Sequence, residues 1–129
     1  MKKIILILFI SLSFVLTSTA QDHMKQDSKA IVITLEQTKG KFTKEKVTLS
    51  EGDYIFNIKN NNVGHAVGFV LVKKGMDTSN PNNHIKSAYV IKTVENNSSQ
   101  KTNITKLTRG EYIYFCPLNP TPQYSLVVE

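Results

Sequence analysis

Four side chains in this 129-residue chain carry soft or borderline donor atoms suited to chemistry: the single thiol of Cys116 and the imidazoles of His23, His65 and His84. A thiolate joined by imidazoles is the donor set of a soft metal site. The same pair can also act as a nucleophile and its base. Cys116 has no second cysteine with which to form a disulfide, so as an alternative to both it is a buried small hydrophobe. Catalysis is the weakest of these readings. No third residue is placed to orient the imidazole, and Pro117, Pro120 and Pro122 take backbone N–H donors away from the segment that would have to stabilise an oxyanion. The chain is therefore read as a non-enzyme.

Residues 1–20 read as a secretory signal: Lys2 and Lys3, an apolar run from Ile4 to Leu16, then the small residues Thr17 to Ala20. The run is shorter than the ~20 residues that span a bilayer. No cysteine stands at the expected cut to take a lipid. A periplasmic or secreted protein without a membrane anchor is expected. Cleavage after Ala20 leaves Gln21-Asp22-His23 at the new N-terminus. A histidine third from a free amine can wrap Cu(II) or Ni(II) in a square plane, which makes His23 a minor candidate that depends on that cut.

The elements that must position Cys116 and His65 have a period of two. Residues 21–29 read as a polar leader, and residues 30–129 as one domain. Ile31, Ile33 and Leu35 alternate with Val32, Thr34 and Glu36; Val47 and Leu49 follow a Lys39-Gly40 turn; Tyr54, Phe56 and Ile58 alternate with Ile55, Asn57 and Lys59. Ala66–Lys73 reads as a buried strand, residues 96–103 as a polar loop, Tyr112 to Cys116 and Tyr124 to Val128 as strands. Residues 85–94 fit either a strand or a short helix. The expected core is Ile33, Leu35, Phe56, Ile58, Phe69, Leu71, Tyr114 and Val127. Seven or eight short strands separated by turn signals predict an all-β fold, a Greek-key antiparallel β-sandwich.

Two stretches are more specific. Asn60-Asn61-Asn62-Val63-Gly64-His65-Ala66-Val67-Gly68-Phe69 and Gly110-Glu111-Tyr112-Ile113-Tyr114-Phe115-Cys116, with the loop that follows, resemble the cupredoxin family of small blue-copper proteins. The resemblance implies a cupredoxin-like sandwich over about residues 30–129, with His65 and Cys116 at two copper-ligand positions. It also implies a Cys-x-x-His-Pro-x-Met loop. This chain has Cys116-Pro117-Leu118-Asn119-Pro120-Thr121-Pro122 instead, so Asn119 and Pro122 stand at the positions of lost ligands. Gln123 is a candidate axial oxygen donor, and His84 or Met76 could approach from the long loop before residue 85. An amide oxygen is hard and neutral, and does not replace an imidazole in a redox copper site.

Formal net charge is +6, falling to +4 once Lys2 and Lys3 leave with the signal. The lysines are scattered among apolar residues, as on the solvated faces of strands, and no recognition motif accompanies them, so nucleic acid is not an expected partner. The leading expectation is an exported cupredoxin-like binding module with an incomplete His65/Cys116 copper site, its cofactor being copper or none. The alternatives are a small periplasmic electron-transfer copper protein and a metal-free sandwich that binds a protein partner through its stiff proline loop.

Overall fold

The computed structural model describes residues 29–129. The expected signal (1–20), His23 and nearly all of the expected leader (21–29) lie outside the described residues. Among the described residues nine strands form: β1 (Ile31–Thr38), β2 (Lys41–Phe42), β3 (Lys46–Leu49), β4 (Gly52–Asn60), β5 (Val70–Lys73), β6 (Ser99–Lys101), β7 (Thr105–Leu107), β8 (Gly110–Phe115) and β9 (Tyr124–Val128). They make two sheets. One runs β2-β1-β4-β6, with β7 also paired to β4; the other runs β3-β9-β8-β5. The all-β sandwich is as the alternating pattern predicts. Its wiring is mixed, because β1 pairs parallel with β4 and β3 parallel with β9, while the other named pairings are antiparallel.

The core follows from strand parity, since alternate side chains share a face. In register, Ile33 lies beside Phe56, Leu35 beside Ile58, and Gln37 beside Asn60. The first two pairs are apolar. The third ends the row in two amides, both fully buried. From the second sheet come Leu71, Tyr112, Tyr114, Leu126 and Val128, with Cys116 continuing the β8 row just past its last residue. An aromatic cluster fills the middle: Phe42 meets Tyr114 edge-on at 5.1 Å between ring centres, and Phe56 lies 5.2 Å from Phe69. Such pairs add to plain area burial.

Five expectations change. Val127 faces outward and is half-buried, while Leu126 and Val128 point inward. With three apolar residues in succession, the last strand shows no alternation from which its parity could be read. Ile33 is half-buried and packs on the edge of the core. The strand expected from Ala66 begins only at Val70; before it, Val67 forms an isolated bridge to Val94. Residues 85–94 are neither strand nor α-helix: a short 3-10 turn at Lys86–Ala88 is followed by isolated bridges at Val90 and Val94. The polar loop after residue 96 contains β6, which pairs with β4 through backbone hydrogen bonds that need no apolar side chains.

Candidate functional site

Strand β8 delivers Cys116 to the end of the sandwich where the Gln37/Asn60 row ends. The side chain is buried, and Sγ accepts two backbone hydrogen bonds, from Gly68 N–H and Asn119 N–H, both at 3.3 Å. The Cys116 N–H is itself held by Thr121 Oγ1 at 3.0 Å. The loop from Cys116 to Thr121 is thus a closed turn folded round the sulfur.

Asn119 is buried within that turn, and both ends of its amide are engaged across the molecule. Nδ2 donates to Gln37 Oε1 at 3.0 Å and to the Thr38 carbonyl at 2.9 Å. Oδ1 accepts from Gly40 N–H at 2.7 Å. Gly40 is the residue of the β1–β2 turn at φ 73°, a left-handed conformation open to glycine, which aims that N–H at the loop. Gln37 completes the ring by donating Nε2–H to the Gly68 carbonyl at 2.8 Å. Cys116, Gly68, Gln37 and Asn119 therefore form one continuous hydrogen-bonded circuit between the two sheets.

Neither His65 nor His84 is hydrogen-bonded to Cys116. His65 is exposed, and among the described residues its ring makes one polar contact, Nδ1 to the neighbouring Ala66 carbonyl at 3.0 Å. That contact puts the proton of the neutral ring on Nδ1 and leaves Nε2 facing solvent. No hydrogen bond joins His65 to Cys116 or to the loop after it; what holds this segment is Asn60, whose Nδ2 donates to the His65 carbonyl at 2.8 Å. His84 is engaged at both nitrogens, with Nε2–H donating to the Thr78 carbonyl at 2.8 Å and Nδ1 meeting Tyr89 Oη at 2.6 Å. Met76, Pro122 and Gln123 are exposed, and Gln123 Nε2 bonds Thr78 Oγ1 at 3.1 Å. Of the residues singled out in the sequence, Cys116 and Asn119 are joined directly by a hydrogen bond.

Whether these residues suit copper is decided by their donor chemistry. A trigonal copper centre needs free imidazoles beside the thiolate. Among the described residues no group of three or more histidine, cysteine, aspartate or glutamate side chains comes together. Asn119 has no free amide atom pointing at the sulfur. Thr38 Oγ1, a buried side-chain oxygen beside this circuit with no partner among the described residues, is a hard neutral hydroxyl. The residues present do not fit a type 1 centre. A nucleophile–base pair is not assembled either, since Cys116 and His65 share no hydrogen bond.

Gln37 was not singled out in the sequence, although a signal for it was present. It continues the core-facing row of Ile33 and Leu35, so an amide at that parity had to find a buried partner.

Around the loop the surface is apolar. Gly68, Phe69, Val70, Tyr89, Val90, Pro117 and Leu118 line a shallow cleft of about 340 Å³, and Leu118 is 50% exposed. Among the described residues no helix is long and apolar enough to cross a membrane.

Comparison with solved structures gives the same architecture. Auracyanin A, a "blue" copper protein from the green thermophilic photosynthetic bacterium Chloroflexus aurantiacus, is 20% identical over 78% of this chain and 100% of its own, with a TM-score of 0.62. Dithionite-reduced auracyanin from the photosynthetic bacterium Roseiflexus castenholzii is 16% identical over 79% of this chain and 99% of its own, at 0.60. Amicyanin from Paracoccus versutus is 20% identical over 79% of this chain and 83% of its own, at 0.50. At such identities the likeness speaks for the fold. No curated protein matches the chain. Residues 6–128 match the family described as the cupredoxin-like domain, and with nearly the whole length covered this chain belongs to that family.

Proposed function

We propose that this chain is an exported, non-enzymatic cupredoxin-like module that binds a protein partner through the surface of its proline loop and does not carry electrons. The observation behind this reading is that Asn119, at the position where the resemblance expects a ligand, has its whole amide engaged within the fold. With that position committed, the exposed feature of this end is Leu118 beside Pro117, a half-exposed apolar side chain on a stiffened loop. Apolar anchors of this kind dominate recognition when they enter a partner's pocket.

The test has two arms. Adding Cu(II) to the purified, reduced protein is expected to produce no intense visible thiolate charge-transfer band, and such a band would restore the electron carrier. Partners captured from the native compartment are then compared between the natural chain and Leu118→Asp. Loss of a captured partner with Leu118→Asp is expected, and unchanged capture would move the surface elsewhere.

A second reading, Cu(I) handling, has one observation in its favour: Cys116 Sγ, a soft donor, is held in place at this end of the sandwich by two backbone N–H groups. Under it, Cu(I) binds near one equivalent, and Cys116→Ser and His65→Ala each weaken binding. If instead His23→Ala alone abolishes Cu(II) uptake, metal handling belongs to the N-terminal tripeptide.

A further inference from the structure

The engaged Asn119 amide already supports the first of those readings, and what the Gln37–Asn119 pair does for the fold goes beyond it. We infer that this buried amide clasp takes the place of a metal in holding together the loop end of the sandwich, so that the fold closes without copper.

Asn119 comes from the loop after β8, in the second sheet, while Gln37, Thr38 and Gly40 come from the end of β1 and its turn, in the first. Their three hydrogen bonds, at 2.7 to 3.0 Å, span sequence separations of 79 to 82 residues and so join opposite sheets. Gln37 then reaches the Gly68 carbonyl, just before β5, so one residue of the first sheet fastens two segments of the second. Every polar atom of the two amides has a partner: Asn119 Nδ2 donates twice and its Oδ1 accepts once, while Gln37 Nε2 donates once and its Oε1 accepts once. A bridging metal would draw the same segments together through lone pairs. Here amide protons do so, and the fastening needs no cation.

The clasp also accounts for a feature of the surface. Gly40 sits in an exposed turn, where an amide proton would ordinarily exchange with solvent quickly, yet its acceptor is the buried Asn119 side chain. Its protection reports the clasp directly, in the natural chain and without any variant.

The experiment is hydrogen exchange by NMR on the purified, chelator-treated protein, followed by the same measurement with one equivalent of Cu(I). The Gly40 amide is expected to exchange at least about tenfold more slowly than an unprotected turn amide in the metal-free protein, with no further slowing on adding Cu(I). Fast exchange in the metal-free protein that becomes slow with Cu(I) would overturn the inference, because the metal would then be closing this end. Fast exchange in both would overturn it too, because the clasp would not be formed.

Asn119→Asp gives a second readout that packing alone would not move. At neutral pH the variant faces the Gln37 and Thr38 acceptor oxygens with a buried carboxylate, and its thermal midpoint is expected to fall below that of the natural chain. Burial and those acceptors raise the carboxyl's pKa in the folded state, so the deficit is largest above that pKa and shrinks as pH falls through it, when an O–H donor returns. A deficit that is absent, or independent of pH, would show that these acceptors do not face residue 119.

Discussion

Asn60 and Asn119 are both buried asparagines at one end of the sandwich, and each uses both ends of its amide, but they hold different things. Asn60 closes the β4 strand: Oδ1 accepts from Val63 N–H at 3.1 Å, and Nδ2 donates to the carbonyls of His65 at 2.8 Å and Val94 at 3.0 Å. Two of its three partners lie within five residues of it. Every side-chain partner of Asn119 lies about eighty residues earlier in the chain. The first amide shapes a turn that can form as soon as β4 ends. The second joins elements that meet only after both sheets exist, when the entropy of closing a long loop has already been lost. The same chemistry therefore serves local structure in one place and assembly in the other.

Asn60 ends an apolar row of β4, and Asn119 bonds Gln37 at the end of the neighbouring row of β1, so breaking such a row gives the largest expected effect. Phe56→Ala removes a fully buried ring that lies beside Ile33 in register and 5.2 Å from Phe69. The cost should be about 3–5 kcal/mol. Urea unfolding that showed a loss below ~1 kcal/mol would mean that the row does not carry the core.

The amides themselves come next and sharpen the contrast. Asn60→Leu and Asn119→Leu each leave buried backbone groups without partners and should each cost about 1–3 kcal/mol. The difference should appear in the kinetics. The local contacts of Asn60 can be present in the folding transition state, so its loss should slow folding; those of Asn119 form late, so its loss should mainly speed unfolding. Stopped-flow chevrons in which both variants shift the same arm would remove the distinction drawn here.

A smaller, pH-dependent effect belongs to Tyr114, the residue of the β8 row that precedes Cys116. Its hydroxyl donates to the Lys44 carbonyl at 2.7 Å, and burial, then the nearby Tyr124 and Glu45, push its pKa from 10.0 up to about 12. A neutral phenol favoured by the fold contributes stability that is complete below pH 10 and is lost as pH rises from there towards 12. Tyr114→Phe should lower the thermal midpoint at pH 8, through the lost hydrogen bond, and should flatten the decline between pH 10 and 12. An unchanged slope in the variant would assign that decline to other groups.

Much of the sandwich could be read from alternation. Leu35, Phe56 and Ile58 lie where period two places them, and Phe69, Leu71 and Tyr114 are buried as expected. Legibility failed where the pattern had no contrast, as in Leu126-Val127-Val128, or where backbone pairing needs none, as in β6. At the candidate site, Cys116 and Asn119 could be located from the spacing of the loop. What Asn119 does could not, because its partners Gln37, Thr38 and Gly40 are distant in sequence and polar, and nothing local marks them as neighbours. A resemblance read along the chain asks which ligand is missing. The fold shows the replacing residue bonded to something else.

Thr38 supplies the last and smallest prediction, with the opposite sign. Its carbonyl accepts from Asn119, while its own Oγ1 is buried without a hydrogen-bond partner among the described residues. A hydroxyl shut away from water in this way costs free energy that an apolar group of the same shape would not. Thr38→Val keeps the branched shape suited to β1, leaves the backbone carbonyl in place and removes the orphaned oxygen. Stability should rise by up to about 1 kcal/mol, read as a higher urea midpoint at unchanged m-value. If stability falls by a similar amount instead, the hydroxyl has a partner in solution, and the polar circuit around Cys116 extends through Thr38 as well as through Gln37.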